Sequence, residues 1–153
     1  MFPELLVPDD LHYLIAQQVW ARLDGAGVAT VGITELGIQL SGEIFMCRPK
    51  RVGLEIAQGG TVAVVELAKA IVAVKSPVTG VVVAGNPALK TRPQLVHKDP
   101  YGAGWIARLQ LQDFESDAAQ LLHGDAARAA MEDHAREHAD QLIPDMLGRR
   151  ERN

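Results

Sequence analysis

The sequence feature that most constrains the fold is a series of short apolar segments between residues 19 and 83, separated by glycine, proline or Asp-Gly. The segments are rich in Val, Ile and Ala, and this pattern is typical of a compact β structure with tight turns. Candidate strands are Val19–Leu23, Val28–Ile33, Ile44–Arg48, Thr61–Leu67, Ile71–Lys75, Val81–Ala84 and Trp105–Leu111. The sequence therefore predicts a mainly β fold.

Helical patterns are fewer, and the longest lies near the C-terminus. Thr34 can cap a short helix over 34–41 with its side chain, and a second short helix is expected at 86–91. Towards the C-terminus the composition changes to Ala, Asp, Glu, Arg and His, with apolar residues at helical spacing. This predicts a longer helix near 125–141 and a frayed tail at 148–153.

Length and composition exclude several classes of protein. A chain of 153 residues with 48% hydrophobic content fits one domain over 1–153. A formal net charge of −4 provides no sequence-wide positive field, so no nucleic-acid partner is expected. No apolar run approaches the roughly 20 residues that cross a bilayer, so no membrane partner is expected. One cysteine, Cys47, and an N-terminus without a basic region favour a reducing, cytoplasmic location.

The strands Thr61–Leu67 and Ile71–Lys75 flank a single lysine, Lys69, between Ala68 and Ala70. A connection without Gly or Asn favours a type I turn over a primed turn, and it places Lys69 at the tip of a hairpin. Taken alone, a lysine at such a tip is most often a solvated residue that discourages edge pairing. The surrounding sequence supports a more specific interpretation.

The segment Val65-Glu66-Leu67-Ala68-Lys69-Ala70 resembles the modified segment of the lipoyl-domain family, and of the glycine cleavage H proteins in particular, which reads Val-Glu-Ser-Val-Lys-Ala. The resemblance covers about residues 12 to 112. It implies a barrel-sandwich hybrid, a flattened β-barrel of two antiparallel sheets, followed by a C-terminal helical extension at about 115–143. Four further blocks match the family: Trp20–Gly25, Val31–Thr34, Asn86–Leu89 and Asp99–Ile106.

The resemblance implies that Lys69 carries covalently bound lipoate. Glu66 stands three residues before Lys69, Gly80 eleven after it and Gly53 sixteen before it. These are the offsets of the family residues that help present the lysine to lipoylating enzymes. Biotin-carrying relatives place their lysine between two methionines, so biotin is disfavoured. A rival lysine, Lys75, lies inside the returning strand and lacks a glutamate three positions earlier.

By the same resemblance, the chain is a non-catalytic carrier that works between enzymes. A lipoate ligase or lipoyl transferase would modify it. In glycine cleavage an aminomethyl fragment passes from a decarboxylase to an aminomethyltransferase, and a dihydrolipoyl dehydrogenase reoxidises the carrier. The Ser, His and Asp residues show no convergent set of nucleophile, base and stabilising donors, so no catalytic residue is assigned. A monomer is expected.

The chain departs from ordinary H proteins at two places. It has Gln18-Val19 where they have His-Glu, and a basic segment replaces one that is acidic. Positive charges at Arg48, Lys50 and Arg51 would change which partner docks, although such a run can also be a solvated loop. This keeps two alternatives open. One is a lipoate-binding protein of cytoplasmic sulfur oxidation with a heterodisulfide-reductase-like complex, and the other is an unmodified H-like scaffold.

One further pattern can bind a metal. His134 and His138 are one helical turn apart, a spacing that suits a shared ion. The apolar stripe of the predicted helix runs through both positions, and no third ligand motif accompanies them. Packed or solvated histidines are therefore expected, and no metal is assigned.

Overall fold

The computed structural model of the chain describes residues 5–142, so the tail predicted at 148–153 lies outside the described residues. Nine strands are described: β1 (His12–Leu14), β2 (Val19–Gly25), β3 (Val28–Ile33), β4 (Met46–Pro49), β5 (Glu55–Ile56), β6 (Thr61–Glu66), β7 (Ile71–Lys75), β8 (Gly80–Gly85) and β9 (Ala107–Leu111). Four α-helices accompany them: α1 (Glu35–Ser41), α2 (Leu95–Lys98), α3 (Phe114–Ala118) and α4 (Gly124–Glu137). Short 3-10 helices occupy Ile15–Gln17 and Pro87–Lys90.

The strands form two antiparallel sheets. The larger sheet has six strands in the order β1-β2-β3-β9-β8-β5, and the smaller has three in the order β4-β6-β7. This confirms the prediction of a mainly β barrel-sandwich hybrid with short helices. In the smaller sheet β7 lies at one edge, and Ile71, Val72 and Ala73 on this strand are exposed.

A core of buried aliphatic residues joins the two sheets. Cys47 and Val65 of the smaller sheet belong to the same buried cluster as Val82 and Leu109 of the larger sheet. Each of these side chains is less than 5% exposed. Burial of this apolar surface removes it from water and holds the base of the β6–β7 hairpin in place.

A second cluster packs the C-terminal helix against the larger sheet. Trp20 is fully buried, and its indole N–H contacts the carbonyls of Ile33 and Pro100 at 3.1 and 3.2 Å. A Cβ at Gly32 would meet the Trp20 ring at 2.6 Å, so only glycine leaves room for this indole. Helix α4 contributes three buried residues to the cluster: Ala127, Met131 and Ala135.

Several predicted boundaries differ from the structure. The strand predicted at Ile44–Arg48 is β4, which begins at Met46. The helix predicted near 125–141 ends at Glu137, because His138 leaves helical geometry with φ −116° and ψ 24°. Residues 139–142 then form a further helical turn. The candidate strands and helices did not include β1, β5 or α2, whereas α3 lies in the helical extension predicted at about 115–143. No helix in the described part of the chain has the length and apolarity to cross a bilayer.

Candidate functional site

The β6–β7 hairpin places Lys69 at its tip. Glu66 pairs with Ile71, and the backbone N–H of Leu67 donates to the carbonyl of Ala70 at 2.8 Å. Ala68 and Lys69 therefore form the turn, and neither has a positive φ, which agrees with the prediction that the turn is not primed. The side chain of Lys69 is exposed, as are its two alanine neighbours.

Cross-strand packing holds this hairpin rigid. Val65 pairs with Cys47 on one side and with Val72 on the other. Val65 and Cys47 are both 4% exposed and point into the core between the sheets. Since alternate residues of a strand face opposite sides, Glu66 lies on the outer face of the sheet. The turn thus projects from a strand pair whose inner side chains are fixed.

The outer face of the smaller sheet brings several predicted residues together. Met46 pairs with Glu66, and Glu66 pairs with Ile71, so their side chains form one row next to the turn. A cavity of about 520 Å³ on this face also reaches the basic segment that follows β4. We call this surface the basic face because of its three cations. It consists of Met46, Arg48, Lys50, Arg51, Glu66 and Ile71.

The cations of the basic face are available to a partner. Within residues 5–142, the ion pairs recorded by the structure involve other arginines, namely Arg22, Arg128 and Arg136. Arg48 and Arg51 are exposed, and Lys50 is half-buried. Ile71, in the same row as Glu66, is 70% exposed. The basic face therefore combines unpaired positive charge with exposed apolar surface, next to Lys69.

The two predicted glycines lie outside the β6–β7 hairpin and have backbone roles. Gly53 has φ +94°, and its N–H donates to the carbonyl of Val82 at 2.8 Å. Gly80 is buried at the start of β8, where an added Cβ would lie 2.3 Å from the carbonyl oxygen of Gln110. Both positions shape the path of the chain around the larger sheet. Neither glycine belongs to the β6–β7 hairpin that carries Lys69.

Lys75, the rival lysine, lies in a different setting. It is half-buried within β7, and it pairs with Thr61 at the opposite end of the hairpin from the turn. It lines a groove of about 400 Å³ between β7, α1 and the end of α4. We call this the β7 groove, which is lined by Gln18, Val19, Ser41, Val72, Lys75, His134 and His138, among others.

The β7 groove contains residues that the sequence analysis did not place in a site. The predicted apolar stripe put His134 and His138 on the buried face of the last helix. In the structure Ala127, Met131 and Ala135 form that face, whereas both histidines are half-buried and lie beside it. The signal in the sequence was their spacing of four residues. Their position against β7 depends on long-range packing.

Cys47 does not provide a second reactive group. Burial raises the pKa of its thiol to about 12, so the thiolate needed for nucleophilic chemistry is disfavoured. The side chain packs in the core between the sheets. Cys47 therefore does not supply a reactive thiolate at this site.

The tip of the hairpin fits a covalently attached cofactor. The amine is exposed and lies between two small alanine side chains, so an enzyme can approach it. A long acyl group attached to it can extend from the surface into the solvent. The structure records no ion pair to Lys69 from any residue in 5–142. An amine in this position can be acylated without disturbing the packing below it.

Comparison with known families identifies a match over most of the chain. The family model described as Glycine cleavage H-protein matches residues 11–134. A probable glycine cleavage system H protein 2 of Sulfolobus acidocaldarius is 37% identical over 123 residues, which are 79% of this chain and 82% of that protein. A glycine cleavage system H protein of Aeromonas salmonicida is 40% identical over 116 residues, which are 76% of this chain and 88% of that protein.

Solved structures give the same result. The crystal structure of a glycine cleavage system H protein from Mycobacterium marinum superposes with a TM-score of 0.66 at 26% sequence identity. The match covers 87% of this chain and 99% of that chain. It therefore includes both sheets and part of the helical region that follows them.

Proposed function

This chain belongs to the glycine cleavage H-protein family, whose members carry lipoate on a lysine, and we propose that Lys69 is its attachment residue. The chain is then a lipoyl carrier that moves a tethered group between partner enzymes and catalyses no step itself. The observation that carries this proposal is the exposed position of Lys69 at the tip of the paired β6–β7 hairpin. Lys75 is half-buried inside a strand and offers no such access.

The residues around Lys69 have distinct roles in this proposal. Glu66 presents a carboxylate in the cross-strand row next to the turn. A lipoate ligase or lipoyl transferase can recognise this carboxylate together with the lysine. Gly53 and Gly80 act through the backbone, because one adopts a positive φ and the other allows β8 to pass close to β9. They keep the larger sheet in register behind the hairpin.

Lipoate, when attached, supplies a disulfide that can be reduced to a dithiol and can carry a reaction fragment. The chain contributes geometry. A stiff hairpin keeps the tethered group in the solvent near its docking surface, which raises its effective concentration at a docked enzyme to roughly the millimolar range. No acid or base of this chain is needed for that transfer.

The basic face is our proposed docking surface. Arg48, Lys50 and Arg51 lie next to the hairpin, so a partner that docks on them receives the tip of the arm directly. In glycine cleavage these partners are the decarboxylase, the aminomethyltransferase and dihydrolipoyl dehydrogenase. We further propose that residues 1–153 act as one domain, with the core at about 12–112 and the helical extension at about 115–143, and that the protein works as a cytoplasmic monomer.

A second candidate is the carrier of sulfur oxidation that works with a heterodisulfide-reductase-like complex. Two charged regions favour it. The basic face replaces an acidic segment of ordinary H proteins, and Lys75 adds a positive charge to the β7 groove, where Gln18 and Val19 are uncharged. An aminomethyl fragment carries a basic amine, which such surroundings repel rather than attract. Anionic sulfur species suit them better.

The attachment residue can be tested by intact mass after incubation with lipoate ligase, ATP and lipoate. Wild type and Lys75→Arg should each gain one lipoyl group, whereas Lys69→Arg should gain none. Modification of Lys69→Arg would refute the assignment. A folded wild-type protein that stays unmodified with both ligase and transferase would instead support the unmodified scaffold.

The two metabolic candidates can be separated with the purified, lipoylated protein. A coupled glycine-decarboxylation assay should show turnover if the chain serves glycine cleavage. Binding to a heterodisulfide-reductase-like complex, with no turnover of glycine, would support the sulfur-oxidation candidate. The lipoylated Arg48→Glu variant gives a matched comparison, because its hairpin remains intact while the basic face changes sign.

A further inference from the structure

The end of α4 and the residue that follows it bring three metal-ligating side chains together. One ligand atom from each of His134, Glu137 and His138 lies within 4.8 Å of the other two. The two imidazole rings are stacked, with centroids 4.4 Å apart and planes inclined by 26°. The sequence indicated only the histidine pair, whereas the structure adds a carboxylate at the same place.

A backbone contact fixes the tautomer of one imidazole. His138 Nδ1 lies 2.9 Å from the carbonyl oxygen of His134. A carbonyl can only accept, so Nδ1 carries the hydrogen and Nε2 of the neutral ring keeps its lone pair. Histidines that bind metals commonly donate their other ring N–H in this way, which orients the ring and raises its basicity.

The surroundings leave the three ligands free to share an ion. Arg136, on the same turn, pairs with Asp133, which removes it as a partner for Glu137. Glu137 is exposed, and the imidazoles line the β7 groove together with Gln141 and Lys75. The groove has a volume of about 400 Å³, which is ample for an ion and its remaining water ligands. The positive charge of Lys75 opposes binding and is offset by the carboxylate.

We propose that His134, Glu137 and His138 form a binding site for a divalent transition-metal ion of the Zn²⁺ type, open on one side to the β7 groove. Two imidazole nitrogens and one carboxylate oxygen are a donor set that Zn²⁺ binds with a position left for water or another ligand. His134 and Glu137 lie in the last turn of α4 and His138 follows it directly, so a shared ion joins the end of the helix to the residue after it and stabilises this end. This site does not depend on lipoylation.

The test uses full-length protein without an affinity tag, titrated with Zn²⁺ by calorimetry and with Co²⁺ by visible absorption. Wild type should bind one ion per chain. Glu137→Gln, His134→Asn and His138→Asn should each weaken binding by about tenfold or more, because each removes one of three ligands. The thermal midpoint of wild type should rise with Zn²⁺, and that of the double histidine variant should not.

A second histidine pair in the same chain provides the matched control. The rings of His12 and His123 lie 5.1 Å apart, and neither belongs to the ligand cluster. His12→Asn and His123→Asn should bind Zn²⁺ as wild type does. Equal losses in both pairs, or a Glu137→Gln variant that binds as tightly as wild type, would overturn the site. Glu137 is exposed, so its variant folds and remains informative. Lys69→Arg should bind Zn²⁺ normally, which separates this test from that of the carrier function.

Discussion

The buried carboxylate of Asp117 accepts two hydrogen bonds from Thr79. The backbone N–H of Thr79 donates to Oδ2 at 2.6 Å, and its hydroxyl donates to Oδ1 at 2.9 Å. The side-chain amide of Gln58 also donates to the backbone carbonyls of Asp117 and Pro77, both at 2.9 Å. These bonds fasten α3 to the residue before Gly80, where β8 begins. They connect the helical extension to the chain that returns from the Lys69 hairpin.

Replacing Asp117 by alanine should lower the free energy of unfolding by about 1–3 kcal/mol, because it leaves two donors of Thr79 without their acceptor in a half-buried site. Urea denaturation measures the change. Glu115→Ala, which removes an exposed carboxylate from the same helix, should stay within about 0.5 kcal/mol of wild type. Equal effects of the two variants would contradict the role given to Asp117.

Gly80→Ala should cost about 1–3 kcal/mol or more, because its Cβ would lie 2.3 Å from a backbone oxygen of Gln110 and neither strand can easily move. Gly53→Ala meets no atom within 4 Å, but it must hold a φ of +94°, which costs about 1–2 kcal/mol. Thermal and urea unfolding of both variants test these values. An unchanged stability of Gly80→Ala would mean that β8 does not pass β9 as closely as described.

The stability of the protein should fall as the pH drops below about 6.5, in part because of His97. Burial lowers the pKa of His97, against an opposing effect of the Glu43 carboxylate. Its Nε2 accepts the backbone N–H of Ile44 at 2.9 Å, which requires the neutral ring. His97 lines a surface cavity together with the charged residues Glu35 and Lys98. Since the folded state binds fewer protons than the unfolded state in this window, the free energy of unfolding decreases as the pH falls.

His97→Gln keeps an acceptor near Ile44 but cannot be protonated in this range, so the variant should show a shallower decline in stability. Urea unfolding at about pH 8 and about pH 5 gives the comparison. Burial also lowers the pKa of His12, with a further contribution from His123, so some decline should remain in the variant. A decline as steep as in wild type would show that His97 does not contribute.

Reversing the charge of the basic face should slow association with an acidic partner. Arg48→Glu combined with Arg51→Glu should reduce the association rate by about tenfold or more at low salt, and less at high salt. Stopped-flow binding to the decarboxylase or to the heterodisulfide-reductase-like complex measures this. Arg92→Glu reverses one charge outside the cavity of the basic face, and it should have a smaller effect than Arg48→Glu alone. Identical rates for all variants would place docking elsewhere.

The parts of the fold that could be predicted are those whose signal is local. The β6–β7 hairpin has two apolar strands and a short connection, so its position and the exposure of Lys69 followed from adjacent residues. The cap of α1 was also local, because the Thr34 hydroxyl accepts the N–H of Gly37 at 2.9 Å within one turn. A local pattern of this kind constrains the chain before any long-range packing.

The missed elements depend on residues far along the chain. Strand β5 has two residues, and it exists only because Glu55 and Ile56 pair with β8. Helix α2 has four residues, too few for a helical period to be visible. The same limit explains the histidines of α4. Their spacing was evident, but the face that they occupy is decided by the packing of α4 on Tyr13, Trp20 and Leu36.

The position of β7 at the edge of the smaller sheet affects the solubility expected of the protein. Among residues 5–142 no further strand pairs with β7 on that side, and Ile71 and Val72 are 70% and 43% exposed. Lysines at positions 69 and 75 stand at either end of this stretch, and their charges discourage self-association through it. The proposed acylation of Lys69 would remove one of these two positive charges. Preparations of the loaded carrier should therefore precipitate at lower concentration than the apo form.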